Sequence, residues 1–157
     1  MYKSVLIETI KSFSRQEIKE FGLFIQSPFF NTNQSVIKLY EQIKKHYPEF
    51  DQIQLDKKLL FEKAFGLVKY NDSFMRMTVY RLMELTKEFL ISRNLKRNHF
   101  LKETLLLDEL NIRELNNLMI KCVYDLDKKV EKQKAKEAET YFVKFRLEYY
   151  KNEVKNN

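Results

Sequence analysis

Residues 13–33 read FSRQEIKEFGLFIQSPFFNTN, and this stretch decides the fold class. Ser14 and Glu17 have the spacing of a capping box, in which each side chain satisfies the other residue's free backbone N–H at a helix start. Phe13 and Ile18 occupy the two positions of a hydrophobic staple around the same start. Ile18, Phe21 and Ile25 then recur at helical spacing, and Pro28 disfavours helical geometry at Ser27, so the helix must end near Gln26. Residues 27–33 form a loop that carries two large aromatic side chains, Phe29 and Phe30.

The same logic extends in both directions. A preceding helix over 2–11 places Val5, Leu6 and Ile10 inward. A third helix over 34–46 presents Val36, Tyr40 and Ile43, widened by Ile37 and Leu39, and Pro48 stops it. Asp56 caps a short fourth helix, stapled by Leu55 against Leu60 and closed by Gly66. A long fifth helix over 73–96 carries Met75, Val79, Leu82 and Phe89, broadened by Leu85 and Leu90. A sixth over 99–109 offers Leu101, Leu105 and Leu106. Asn111 as cap, Glu114 at the third position and Leu110 facing Leu115 predict the start of a seventh, with Met119, Cys122, Leu126 and Val130 inward. The apolar stripe lapses between 131 and 139, where a break is placed; an uninterrupted helix over 112–155 is the alternative. A last helix over 138–155 carries Tyr141, Phe142, Phe145 and Tyr149, whose expected use is packing on the seventh helix.

No strand-like alternation accompanies these helices. The expectation is an all-α chain of seven or eight helices in an array or bundle. It is read as a single domain over 1–157, with sub-units 1–96 and 97–157 as the alternative division.

Composition agrees. Only 2 Gly and 2 Pro occur in 157 residues, against roughly 19 from average usage, so sandwiches and barrels, which need those residues in their turns, are excluded. Neither Gly22 nor Gly66 can build a phosphate-cradling loop. The single cysteine, Cys122, rules out an internal disulfide and fits a reducing cytoplasm. No run approaches the ~18 apolar residues of a membrane span, and charged Lys3, Glu8 and Lys11 interrupt the start as no secretory leader would be interrupted. The 29 basic and 22 acidic residues give a net charge of +7, but the charge is spread along the chain. Its lysine excess fits a coding bias as well as it fits a polyanionic partner.

Catalytic candidates are few. His46 sits at a helix end where the dipole favours a basic ring, and His99 has no carboxylate at metal-ligand spacing. Cys122 is in register with core residues. Acidic neighbours such as Asp108 with Glu109 do not share a helix face. No catalytic, cofactor-binding or metal-binding residue is therefore expected, and the chain is read as a non-enzyme with no cofactor.

Two binding readings compete. One is a helical protein-interaction or scaffold module with Phe29 and Phe30 as anchors, because aromatic side chains dominate interface energetics. Its partner is another protein or a second copy. The alternative is a basic nucleic-acid binder in which 56–95 acts like a helix-turn-helix, using Arg76, Arg81, Arg93, Lys96 and Arg97. The long connection after Gly66, and Glu84 and Glu88 on the would-be recognition helix, weaken it.

The run Ser14-x-x-Glu17-x-x-x-Phe21, then Ser27-Pro28-Phe29-Phe30-Asn31, Tyr47-Pro48-x-Phe50, Leu60-Phe61, Phe65-Gly66 and Tyr70-Asn71-Asp72 resembles the N-terminal region of an uncharacterised bacterial family of larger all-helical proteins. The likeness covers about residues 5 to 90. It implies solenoid-like stacking of helix pairs and no particular activity or cofactor. It also implies that 157 residues is short for a member, so the chain is expected to be a truncated or minimal form. A solenoid cut short leaves a terminal face open to self-association.

Overall fold

The capping chemistry read from the sequence sets the boundaries of the first helices. The computed structural model describes residues 4–50, 55–66, 69–132 and 138–156, and among these it contains eight helices and no strand. Ser4 caps α1 (Val5–Lys11). The Ser14 hydroxyl accepts from the Glu17 N–H at 3.2 Å while the Ser14 N–H donates to the Glu17 carboxylate at 2.8 Å, opening α2 (Arg15–Gln26). Asn33 caps α3 (Gln34–Lys44), Asp56 caps α4 (Lys57–Phe65), and Gly66, at φ 84°, closes it. That positive φ is one glycine tolerates and other residues resist. Asn71 accepts from the Phe74 N–H to start α5 (Asp72–Arg97). Asn98 does the same for α6 (His99–Ile112), which is followed by α7 (Asn116–Lys132) and α8 (Ala138–Asn156). No helix of the described residues is long and apolar enough to cross a membrane.

The chain divides into two compact units, Met1–Ile91 and Ser92–Asn157. In the first, α3 packs on α2 and α4. Its core joins Leu6, Ile10, Phe13, Ile18, Phe21, Ile25, Val36, Leu39, Tyr40 and Ile43 to Leu60, Met75, Leu82, Leu85 and Phe89. The Phe89 ring meets Phe13, Phe21 and Phe24 at centroid distances of 5.5, 5.1 and 5.6 Å. The fully buried Tyr40 hydroxyl donates to the Ile18 carbonyl at 2.7 Å, so its polar atom is not stranded. Burial, with Glu41 adding to it, pushes the Tyr40 pKa well up.

Two details of this unit depart from the sequence reading. Val5 is exposed and Ile7 is buried in its place; Leu90 is also exposed. Gly22 is buried, yet a Cβ there would meet Tyr40 only at 3.5 Å, an ordinary contact. Close helix packing therefore does not require glycine at 22.

In the second unit α6, α7 and α8 pack pairwise around Leu107, Leu110, Met119, Val123, Leu126, Val130, Val143, Leu147 and Tyr150. Here the sequence reading needs larger corrections. The inward residues of α6 are Thr104, Leu107 and Leu110, while Leu105 and Leu106 are exposed. Asn111 is not a cap but lies in the last turn of α6. The Glu114 N–H donates to the Asn111 carbonyl and the Leu115 N–H to the Leu110 carbonyl, both at 3.0 Å, with Glu114 at φ 55°. That pattern is a Schellman closure, in which the residues at the Leu110 and Leu115 positions characteristically touch. The same Leu110–Leu115 spacing therefore ends one helix where the sequence suggested it began another. The break placed between 131 and 139 falls largely on 133–137, outside the described residues.

The aromatic stripe of α8 is also corrected. Tyr141, Phe142, Phe145 and Tyr149 are exposed, and Val143, Leu147 and Tyr150 face the core instead. The reason is polar as well as apolar. The Asp108 carboxylate on α6 receives hydrogen bonds from the Tyr150 hydroxyl and from Arg146, and Arg146 also donates to the Tyr150 oxygen at 2.8 Å. Two further ion pairs tie this unit, Lys129 to Glu103 at 2.5 Å between α7 and α6, and Lys151 to Asp127 at 2.8 Å between α8 and α7.

Candidate interaction site

The loop after α2 is built by Asn31. Its side-chain amide donates to the Ile25 carbonyl at 2.8 Å and to the Asn33 carbonyl at 3.3 Å, and its Oδ1 accepts from the Asn33 N–H at 2.9 Å. The Ile25 carbonyl belongs to the last turn of α2, where it has no intrahelical donor, so Asn31 supplies what the helix end lacks. The Phe30 and Asn31 N–H groups both donate to the Ser27 carbonyl at 3.0 Å. Asn33 in turn accepts from the Ser35 N–H and starts α3. Every turn of the loop is thus held by a named hydrogen bond.

This scaffold separates the two aromatic residues that the sequence paired. Phe30 stacks on Phe24 at 4.0 Å and 23°, and Phe24 touches Phe89 in the core. Phe29 stands edge-on to Phe30 at 4.9 Å and is 88% exposed. A chain of ring contacts therefore runs from the core out to Phe29, which projects from a seated neighbour.

Beside it lies a groove of about 560 Å³, lined by Phe30, Asn31, Thr32 and Asn33 on the loop side and by Arg81, Glu84, Leu85 and Glu88 of α5. The four α5 residues fall at i, i+3, i+4 and i+7, one face of the helix. Leu85 is buried and Arg81 and Glu88 are exposed. Glu84 is paired with Lys87 at 2.7 Å, and that carboxylate raises the Lys87 pKa. The sequence reading noted Glu84 and Glu88 only as obstacles to phosphate contact and missed them as a groove wall. Their spacing from Leu85 was the available signal.

The five basic residues of the alternative reading all lie on α5 but not as one patch. Arg76 is paired with Asp72 at 3.0 Å. Arg81 is five residues on, which turns it about 140° around the helix, and it lines the groove with the two glutamates. Arg93, Lys96 and Arg97 share an i, i+3, i+4 face within the second unit, Arg93 partly buried and the other two exposed. His46 is half-buried, His99 is exposed, and Cys122 is half-buried against the second core. Among the described residues no cluster of three or more His, Cys, Asp or Glu side chains could hold a metal ion. No family model, curated protein or solved structure matches the chain.

Proposed function

We propose that this chain is a non-catalytic, cytoplasmic helical interaction module that grips a segment of a partner protein between Phe29 and the adjoining α5 groove. The observation that carries the reading is Phe29, an aromatic ring 88% exposed on a loop whose every turn is hydrogen-bonded. A rigid exposed ring binds without the entropy loss of ordering a flexible loop, which is what makes aromatic side chains effective anchors. The groove asks for an apolar side chain against Phe30 and Leu85 and a cationic group within reach of Glu88. Arg76 in its ion pair and Arg81 beside two glutamates lend less support to the nucleic-acid alternative, since phosphate contact needs clustered, unopposed cations.

The test is selection of short displayed peptides on the full chain, followed by affinity measurement against Phe29→Ala. Losing the contact of one buried phenyl ring, about 2 kcal/mol, weakens binding by roughly 30-fold. Helicity stays unchanged because the Phe29 ring lies outside the core, edge-on to Phe30. Phe30 is the poorer probe, since its ring is stacked on Phe24. Failure to select any Phe29-dependent peptide, together with salt-sensitive binding of duplex DNA or single-stranded RNA that Arg81→Ala removes, would replace this reading with the alternative.

A further inference from the structure

We infer that a second copy of this chain covers the outer face of α8, the two helices running antiparallel with Phe145 meeting its counterpart across a two-fold axis. The inference is independent of the loop and groove. α8 carries two apolar faces. Val143, Leu147 and Tyr150 fill the core of the second unit, and Tyr141, Phe142, Phe145 and Tyr149 lie on the far side, 61%, 52%, 73% and 49% exposed. At 100° per residue the second set is centred about 150° from the first, so the packing of α6 and α7 leaves it untouched. A surface helix of a self-contained unit has one apolar stripe; a second implies a further neighbour.

The pattern of the face selects a copy of itself. An isologous contact requires a surface that is complementary to itself after a two-fold rotation. Tyr141 and Tyr149 are each four residues from Phe145, so an antiparallel pairing centred there sets Tyr141 against Tyr149 of the second copy, twice. Phe142, on the other flank, comes beside Tyr149 of the other helix. On one flank of the seam lie Lys144 and Glu148. The rotation keeps that flank on the same side, which brings Lys144 within about two residues' rise, roughly 3 Å, of Glu148 in the second copy. Glu148 is held here by Lys151, but Lys151 keeps Asp127 at 2.8 Å when Glu148 turns to a new partner. A parallel two-fold would instead carry this flank to the opposite side of the seam and part Lys144 from Glu148 of the second copy.

Area agrees with a reversible dimer. With 150–250 Å² on each aromatic side chain, these exposures leave about 450 Å² of ring surface per copy, or ~900 Å² for the pair. The stems of Lys144 and Glu148 bring the total to the ~1,000 Å² that a specific interface needs.

Sedimentation equilibrium of the full chain over a wide concentration range tests this. The wild type shows a monomer–dimer equilibrium, and Phe145→Glu, at an exposed position where helicity is retained, weakens it by at least about 100-fold. Lys144→Glu weakens it about tenfold, and adding Glu148→Lys restores it. Phe29→Ala has no effect. A chain that stays monomeric throughout, or a dimer indifferent to Phe145→Glu, overturns the inference. A loss on Lys144→Glu that Glu148→Lys does not restore overturns the antiparallel register.

Discussion

Replacing Asp108 with Ala should cost the second unit about 2–3 kcal/mol of stability. The carboxylate is the common acceptor for two donors from α8, the Tyr150 hydroxyl and the Arg146 guanidinium. Tyr150 is 1% exposed, so its hydroxyl proton would be left without an acceptor, and Arg146, whose Nε is already buried without a hydrogen bond, would lose its counter-charge. A fully buried ion pair broken in this way costs about 3–5 kcal/mol. The Asp108 and Arg146 side chains are 38% and 27% exposed, so water replaces part of what is lost and the figure falls. Tyr150→Phe, which removes two hydrogen bonds, one to Asp108 and one from Arg146, without stranding a charge, should cost about 1–2 kcal/mol. Asp108→Asn, which keeps an acceptor oxygen, should cost about the same, and the two substitutions together should show a coupling of about 1 kcal/mol. Native-state hydrogen exchange separates the units: amides of α6, α7 and α8 should lose protection by these amounts. A loss below about 0.5 kcal/mol in Asp108→Ala, or a coupling indistinguishable from zero, would show that the cluster is an incidental surface contact and that apolar packing alone chose the inward face of α8.

Other expectations follow from the same reasoning. Asn31→Ala removes three hydrogen bonds from the aromatic loop and should cost about 2 kcal/mol in thermal unfolding while speeding exchange of the Asn33 amide. Gly22→Ala should stabilise the chain by about 0.5–1 kcal/mol, because the helix gains propensity and the methyl group finds room. Glu114→Gly should also stabilise it, by up to about 1 kcal/mol, since residue 114 sits at φ 55° and glycine adopts that geometry without strain. Stability should fall at both pH extremes, as urea titrations at fixed pH would record. Burial disfavours the charged form of Asp108, but the hydrogen bonds from Tyr150 and Arg146 outweigh it and hold the carboxyl below its ordinary range. Its contribution is therefore present above the unfolded value and disappears as pH drops through the lower folded one. Burial, then the bond to Asp108, pushes Tyr150 up to about 12, so its share is complete below the ordinary tyrosine value of 10.0 and is lost as pH rises toward 12.

The first unit was legible because its helices announce their own ends. Ser14 with Glu17, Asp56 and Gly66 act through backbone groups within four residues, and such local chemistry is written in the order of the chain. Its buried residues also form single stripes: Ile18, Phe21 and Ile25 on α2, and Val36, Leu39, Tyr40 and Ile43 on α3. The second unit was harder for a physical reason. α6 and α8 carry apolar side chains on more than one face, so periodicity cannot say whether Leu105 or Leu107, Phe145 or Leu147, turns inward. What breaks the tie is long-range and polar: Asp108 meets Tyr150 from 42 residues away, a pairing no local pattern contains. The Leu110–Leu115 spacing misled because a staple and a Schellman closure use the same five-residue separation; only the positive φ of Glu114 distinguishes them, and glutamate does not advertise it. At the candidate site, Phe29 and Phe30 were visible as a pair, but their different fates depend on Phe24 lying beneath one ring and not the other.

Three interhelical ion pairs of the second unit bear on how α6, α7 and α8 find their alignment. Apolar burial is non-directional, so three greasy helices can slide past one another by a turn at little cost. Here each interface carries its own marker: Glu103 with Lys129, Asp108 with Arg146, and Asp127 with Lys151. A slip of α8 by one turn, about 5.4 Å, would part it from α6 and α7 at once, because both of its markers sit on the same rigid rod. The charges thus act as a three-point combination that only one axial setting satisfies, and the leucines then need only fill the space.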